Sequence, residues 1–293
     1  MTAERKKGLL FASAGSIFWG SSGIAGQFLL INENIAPEWL TFFRLLCAGF
    51  LLLLLSHFLK GNISTIWKDR RDRRTLLIFS AFGMLGTQYG YFASIRCSNA
   101  PTATILEYLM PILIIFWYCL SEKRWPRTVE IFCALFAITG TALIATGGDF
   151  RSLSISGKAL FWGLLSALAC ALYTVEPVGI IKKYGAPLVV GWGMFLASFV
   201  LLPVVALTPF TGTVDMPVLL SFAYVVLFGT ICSFVLYLGS VAYILPTEAS
   251  IISAIEPLSS IIFSFLIFHL TFGFWELIGM ALIILAVAVV ARK

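Results

Sequence analysis

Three ionisable residues interrupt the long apolar runs of this chain: Arg44, Glu107 and Glu256. A charge at the centre of a membrane helix costs about 2.5–3.5 kcal/mol on insertion scales, so each needs a partner or a task. Glu256 directly precedes Pro257, whose ring removes one helical hydrogen bond and frees a carbonyl one turn earlier. A carboxylate there suits attraction of a cation or carriage of a proton. Glu107 and Pro111 form the matching turn of the fourth apolar run. Arg44, expected at the same depth as Glu107, is read first as a salt bridge fixing spans 2 and 4 or as a side chain snorkelling to the outer interface; the alternative is contact with a substrate carboxylate, which its planar fork suits. Around them Trp19, Ser22, Gly23, Gly26 and Gln27 recur at one-face helical spacing, and Gln88, Tyr89 and Tyr173 add polar and aromatic groups. Aromatic rings can face a cation, although small and polar residues also cement membrane helices.

Other chemistries fail on spacing. Gly20-Ser21-Ser22-Gly23 contains a string used by intramembrane serine proteases, but the two histidines, His57 and His269, fall at opposite ends of apolar runs, away from Ser22. The same separation excludes a zinc site, the six cysteines show no metal or disulfide pattern, and no phosphate-binding loop is present. Neither enzymatic activity nor a cofactor or metal is expected.

The elements that must position these residues are membrane helices. Of 293 residues 60% are hydrophobic and only 12% charged, with mean hydropathy +0.98, too apolar for a soluble surface. The apolar residues fall in ten blocks: 8–31, 38–59, 75–95, 101–120, 127–146, 157–180, 187–208, 217–239, 246–267 and 271–291. Each is long enough to cross a hydrocarbon core of about 30 Å. The first block is too long for a cleaved signal peptide. Sixteen of the twenty Lys and Arg fall in the termini and alternate loops, so both termini are expected in the cytoplasm. That placement also makes the net charge of +6 a matter of topology rather than of nucleic-acid binding.

The chain repeats itself. Ala103 to Pro111 returns as Ala249 to Pro257, an offset of 146 that also relates Glu130 to Glu276; Ala36-Pro37 and Ala186-Pro187 match at 150. A unit of five spans is odd, so the second copy enters the membrane from the opposite side. Residues 8–146 and 157–291 are therefore expected as inverted repeats of an all-α polytopic protein with ten transmembrane helices. Such repeats build secondary transporters whose site lies between the copies near the midplane. In this register Glu107 corresponds to Ser253 and Glu256 to Met110, on a shared helix face, so two acids from opposite halves are expected in one cavity.

Phe18 to Gly23, Phe43-Arg44-Leu45-Leu46, the alanine-to-proline spacing of spans 4 and 9, and Glu122 resemble the EamA-type transporters of the drug/metabolite transporter superfamily. Ser98 to Thr104 and Glu256 to Ser260 look closest to its YicL-like bacterial inner-membrane branch. The resemblance covers essentially the whole chain. It implies a central cavity between the halves, a bacterial inner-membrane location and export of small metabolites. Phe268 stands where the second half would carry the counterpart of Glu122.

These readings converge on a proton-coupled secondary active transporter, with amino acids or related zwitterions as first expectation and amines or quaternary ammonium compounds as the alternative. A channel or structural membrane protein is the minor alternative. The expected partners are the bilayer, a small-molecule substrate and a coupling proton, with no nucleic acid, in a monomer or homodimer.

Overall fold

The computed structural model describes residues 3–60, 62–149, 154–240, 243–244 and 252–291. Their long helical elements form ten rods: α1 Ala3–Asn32, α2 Pro37–Lys60, α3 70–97, α4 Ala100–Ser121, α5 Thr128–Thr146, α6 Gly157–Val175, α7 Ala186–Leu207, α8 216–240, α9 Ile255–Phe268 and α10 Phe274–Ala291. Starts are written locally. Asp69, Asn99, Ser156 and Asp215 each accept a backbone N–H from the first turn of α3, α4, α6 and α8, and prolines occupy the first turns of α2, α4, α7 and α8.

Seven rods are long and apolar enough to cross a bilayer; α9 and α10 are shorter apolar helices, and α3 opens on Arg70, Arg71, Arg73 and Arg74. The sixth span, expected through residue 180, ends at Val175, because Glu176 and Pro177 turn the chain into a separate short helix, Val178–Tyr184. Residues 246–251 of the expected ninth span, with the repeat residues Ala249, Ser250 and Ile251, lie outside the described residues.

The packing has the symmetry of exchanged halves. The most extensive contacts join α2 to α7 and α5 to α10, each a pair of counterparts. α3 packs on α6 as α8 packs on α1, and α9 packs on α1 as α4 packs on α6. Local irregularities repeat as well. Six-residue π-helical turns occupy Phe79–Met84 of α3 and Leu227–Cys232 of α8, and left-handed residues Lys123 (φ 51°) and His269 (φ 53°) follow α4 and α9 at the offset of 146. We call the end of the bundle where α1 begins and α10 ends the terminal face and the other the far face.

Polarity is inverted relative to a soluble protein. Phe58, Leu120, Phe132, Phe161 and Leu207 are exposed, whereas Ser16, Ser56, Ser80 and Thr87 are buried with their hydroxyls donated to carbonyls four residues back. Without a hydrophobic drive between helices in lipid, close backbone approach supplies much of the cohesion. At the α5–α10 crossing a Cβ on Gly140 would lie 2.6 Å from the Gly279 carbonyl oxygen, and one on Gly279 2.6 Å from that of Gly140. Gly140→Leu is therefore expected to destabilise by about 1–3 kcal/mol or more, read as a lowered melting temperature of purified protein. An unchanged melting temperature would contradict this packing.

Candidate functional site

Two prolines shape the centre of the molecule. Pro111 and Pro257 lack an N–H, so the carbonyls of Glu107 and Ser253, equivalent in the repeat, lose their normal helical donors. α4 breaks at Tyr108 and Leu109 and resumes as Met110–Ser121. The chain turns at Ser253 and Ala254 before α9 begins, and the Glu256 N–H satisfies the Ser253 carbonyl at 2.9 Å. The two breaks meet directly, the hydroxyls of Tyr108 and Ser253 lying 2.9 Å apart. Discontinuous helices of this kind line the sites of membrane carriers.

Glu107 and Glu256 stand at these breaks, one from each half, both half-buried and close enough for their charges to act on one another. The Glu107 carboxylate accepts the hydroxyl of Ser166 on α6. No hydrogen bond from the described residues reaches the Glu256 carboxylate, which leaves it available to a ligand. Tyr91, Tyr108, Tyr173 and Tyr237 lie within electrostatic reach of Glu256, and Trp19 packs on Tyr237 with ring centroids 5.2 Å apart. Tyr173 in turn stacks on Phe79 in the π turn of α3. Gly20 lets α1 approach this point: a Cβ there would lie 2.5 Å from the Glu256 carbonyl oxygen.

Arg44 does not make the expected salt bridge. It is 6% exposed, donates Nε to the Thr230 hydroxyl at 2.9 Å and Nη2 to the Gly229 carbonyl at 3.2 Å, and lies 5.1 Å over the Phe92 ring. Both oxygen partners, one a side-chain hydroxyl and one a backbone carbonyl, belong to the π turn of α8. Arg44 thus ties α2 to α8 while its charge still acts on Glu107 and Glu256.

The remaining expected site residues divide by position. Trp19 and Tyr173 join the acids. Gln27 accepts the Ala100 N–H at 2.7 Å and so caps α4, and Ser22 packs tightly on Gly229. Tyr89 donates to Glu38 at 2.8 Å and packs on Trp162, bracing the far half. The Gln88 side-chain oxygen has no partner among the described residues. Sequence reasoning missed Tyr108, Tyr237, Tyr91 and Ser166; only Tyr108, adjacent to Glu107 and near Pro111, carried a local signal.

Comparison with known proteins agrees with this architecture. The profile of the EamA-like transporter family matches residues 6–146 and again 157–292. An uncharacterised inner membrane transporter of Salmonella typhimurium, YicL, is 38% identical over 98% of this chain and 95% of its own. An uncharacterised transporter of Bacillus subtilis, YdeK, is 25% identical over 90% of each chain. A chloroplastic WAT1-related protein of Arabidopsis thaliana is 25% identical over 93% of this chain and 66% of its own. One solved crystal structure shares the fold with a TM-score of 0.63 at 16% identity, covering 97% of this chain and 96% of that one.

Proposed function

We propose, because the chain belongs to the EamA-like transporter family and is a multi-pass membrane transporter of small molecules, that it is a proton-coupled exporter whose cargo is a small organic cation. The observation that carries this reading is the meeting of Glu107 and Glu256 beside tyrosines and Trp19, while the neighbouring cation, Arg44, is buried and already bonded. Two carboxylates and one fixed guanidinium sum to one negative charge. A proton or a monovalent ammonium group neutralises that charge equally, so one can be exchanged for the other. Tyrosine and tryptophan faces add cation–π attraction for an amine or quaternary ammonium.

The Lys and Arg distribution supports a cytoplasmic terminal face. Burial supports closure on the far side: Ala100 to Leu106, on that side of the acids, are all buried, whereas Thr174, on the terminal side and 3.8 Å from the Met110 sulfur, is exposed. A zwitterion is the second reading, favoured by the positive dipole ends of the half-helices that begin at Met110 and Ile255 beside the acids, which suit a carboxylate.

Thermal unfolding of the purified protein separates the two. Putrescine and tetraethylammonium are expected to raise the melting temperature, in keeping with about 2.7 kcal/mol of stabilisation at one hundred times Kd, and ornithine is expected to act weakly. Stabilisation by ornithine alone would transfer the assignment to zwitterions.

A further inference from the structure

At the far face a polar cavity of about 210 Å³ lies between the connections α3–α4, α5–α6 and α9–α10. Among the described residues its walls carry Asn99, Thr102 and Ser154, the thiol residue Cys97, and one carboxylate, Glu276, and none of the described lining residues is a lysine or arginine. Glu276 caps α10, its Oε2 accepting the Gly273 N–H at 2.8 Å and its Oε1 accepting the Ser154 hydroxyl at 3.2 Å.

The first half holds the same device with one difference. Glu130, 146 residues earlier, caps α5, its Oε2 accepting the Arg127 N–H at 2.7 Å. There Arg124 also grips the carboxylate with both arms of its guanidinium, Nη1 to Oε2 at 2.8 Å and Nη2 to Oε1 at 3.1 Å. In the repeat register, fixed by the left-handed residues Lys123 and His269, the counterpart of Arg124 is Leu270, which lines the cavity. Among the described residues no cation lies within 4.0 Å of Glu276. The carboxylate that is neutralised internally at the terminal face therefore stands, at the far face, in a cavity with room for a guest.

We propose that this far-face cavity binds the cationic head of a small solute, a guanidinium or primary ammonium, at Glu276, in the place that Arg124 takes in the other half. The neighbouring groups complete the match, because an ammonium has three donors and the Ser154, Asn99 and Thr102 side chains supply acceptors around the carboxylate. The position is also on the line of transport. Thr102 lines the cavity and Glu107 lies five residues further along the same helix, about 7.5 Å by helical rise. The buried segment Ala100 to Leu106 separates the two. The inference rests on the repeat comparison and the cavity, and stands whether or not the central acids bind a cation.

Cys97 in the cavity wall supplies the test. Purified protein in lipid nanodiscs is treated with a cationic or an anionic methanethiosulfonate, and modification of Cys97 is followed by peptide mass spectrometry. Relative to the same pair of reagents on a free small thiol, the cationic reagent is expected to be favoured by about tenfold in the unaltered protein. That preference should vanish in Glu276→Gln, which keeps an acceptor for the Gly273 N–H. Saturating guanidinium or butylammonium is expected to slow modification about tenfold, with no such protection in Leu270→Arg, whose new side chain fills the site. Absence of protection in the unaltered protein, or equal protection in Glu276→Gln, overturns the proposal. The melting temperature of each variant reports whether it is folded, and neither variant touches the central acids.

Discussion

Glu256→Gln is expected to bring pH-driven transport in proteoliposomes down to the level of protein-free vesicles while leaving the protein folded. The substitution keeps size and shape but removes the acid that carries either the proton or the cargo. Because no described group hydrogen-bonds this carboxylate, no structural bond is lost with it. Replacing a half-buried carboxylate by a neutral amide also relieves desolvation, so the melting temperature should hold or rise. Glu107→Gln offers the comparison: its amide oxygen can still accept from Ser166, so the fold is again retained, but the charge available for exchange is gone. Wild-type rates in Glu256→Gln would remove this residue from the mechanism, and loss of both transport and melting stability would make it a structural residue instead.

Arg44→Gln should act in the opposite manner, through stability. The guanidinium makes two charge-assisted hydrogen bonds in a buried joint, each worth about 1.5–3 kcal/mol, and it offsets two nearby acids. Removing it is expected to destabilise by roughly 3 kcal/mol or more, visible as low expression and a depressed melting temperature. Arg44→Lys keeps the charge but not the fork and should fall between. The decisive comparison is the double variant Arg44→Gln with Glu107→Gln. If the joint is partly electrostatic, removing one uncompensated acid should recover part of the lost stability, a coupling that independent sites would lack. Strictly additive losses would reduce Arg44 to its hydrogen bonds.

Much of this architecture was legible in the sequence because its causes are local. Twenty-residue apolar blocks need only composition, and the Ala-to-Pro spacing places a missing N–H at the same depth in both halves, which is why the helix breaks and the convergence of Glu107 and Glu256 could be anticipated. Residues 246–251 apart, the expected blocks overlap the rods seen. The failures have equally specific causes. The partners of Arg44 lie 185 and 186 residues away in a π turn, a winding with no sequence signature comparable to proline. Tyr108 and Tyr237 were hidden by abundance, since a chain with 26 Phe, 9 Tyr and 8 Trp gives no ring special weight. Gln27 was drawn towards the expected cavity by helical spacing, and Tyr89 by its polar and aromatic character. α1, however, packs on α3, α4, α8 and α9, so that a residue on one of its faces is as readily a cap or a brace as a site residue. In the sequence Glu276 stands out only as the repeat counterpart of Glu130; its character emerges beside the arginine that holds Glu130.

The paired π turns also carry a historical meaning. A π turn is in effect one extra residue lodged in an α-helix, the trace of an insertion. Phe79–Met84 and Leu227–Cys232 hold that extra residue at an offset of 148, whereas the π segment Phe28–Asn32 has no counterpart in α6, which ends at Val175. The shared insertions are most simply inherited from a single ancestral five-helix unit, before gene duplication joined two copies head to tail. The unpaired π segment and the contrast of Leu270 with Arg124 mark where the two halves now differ.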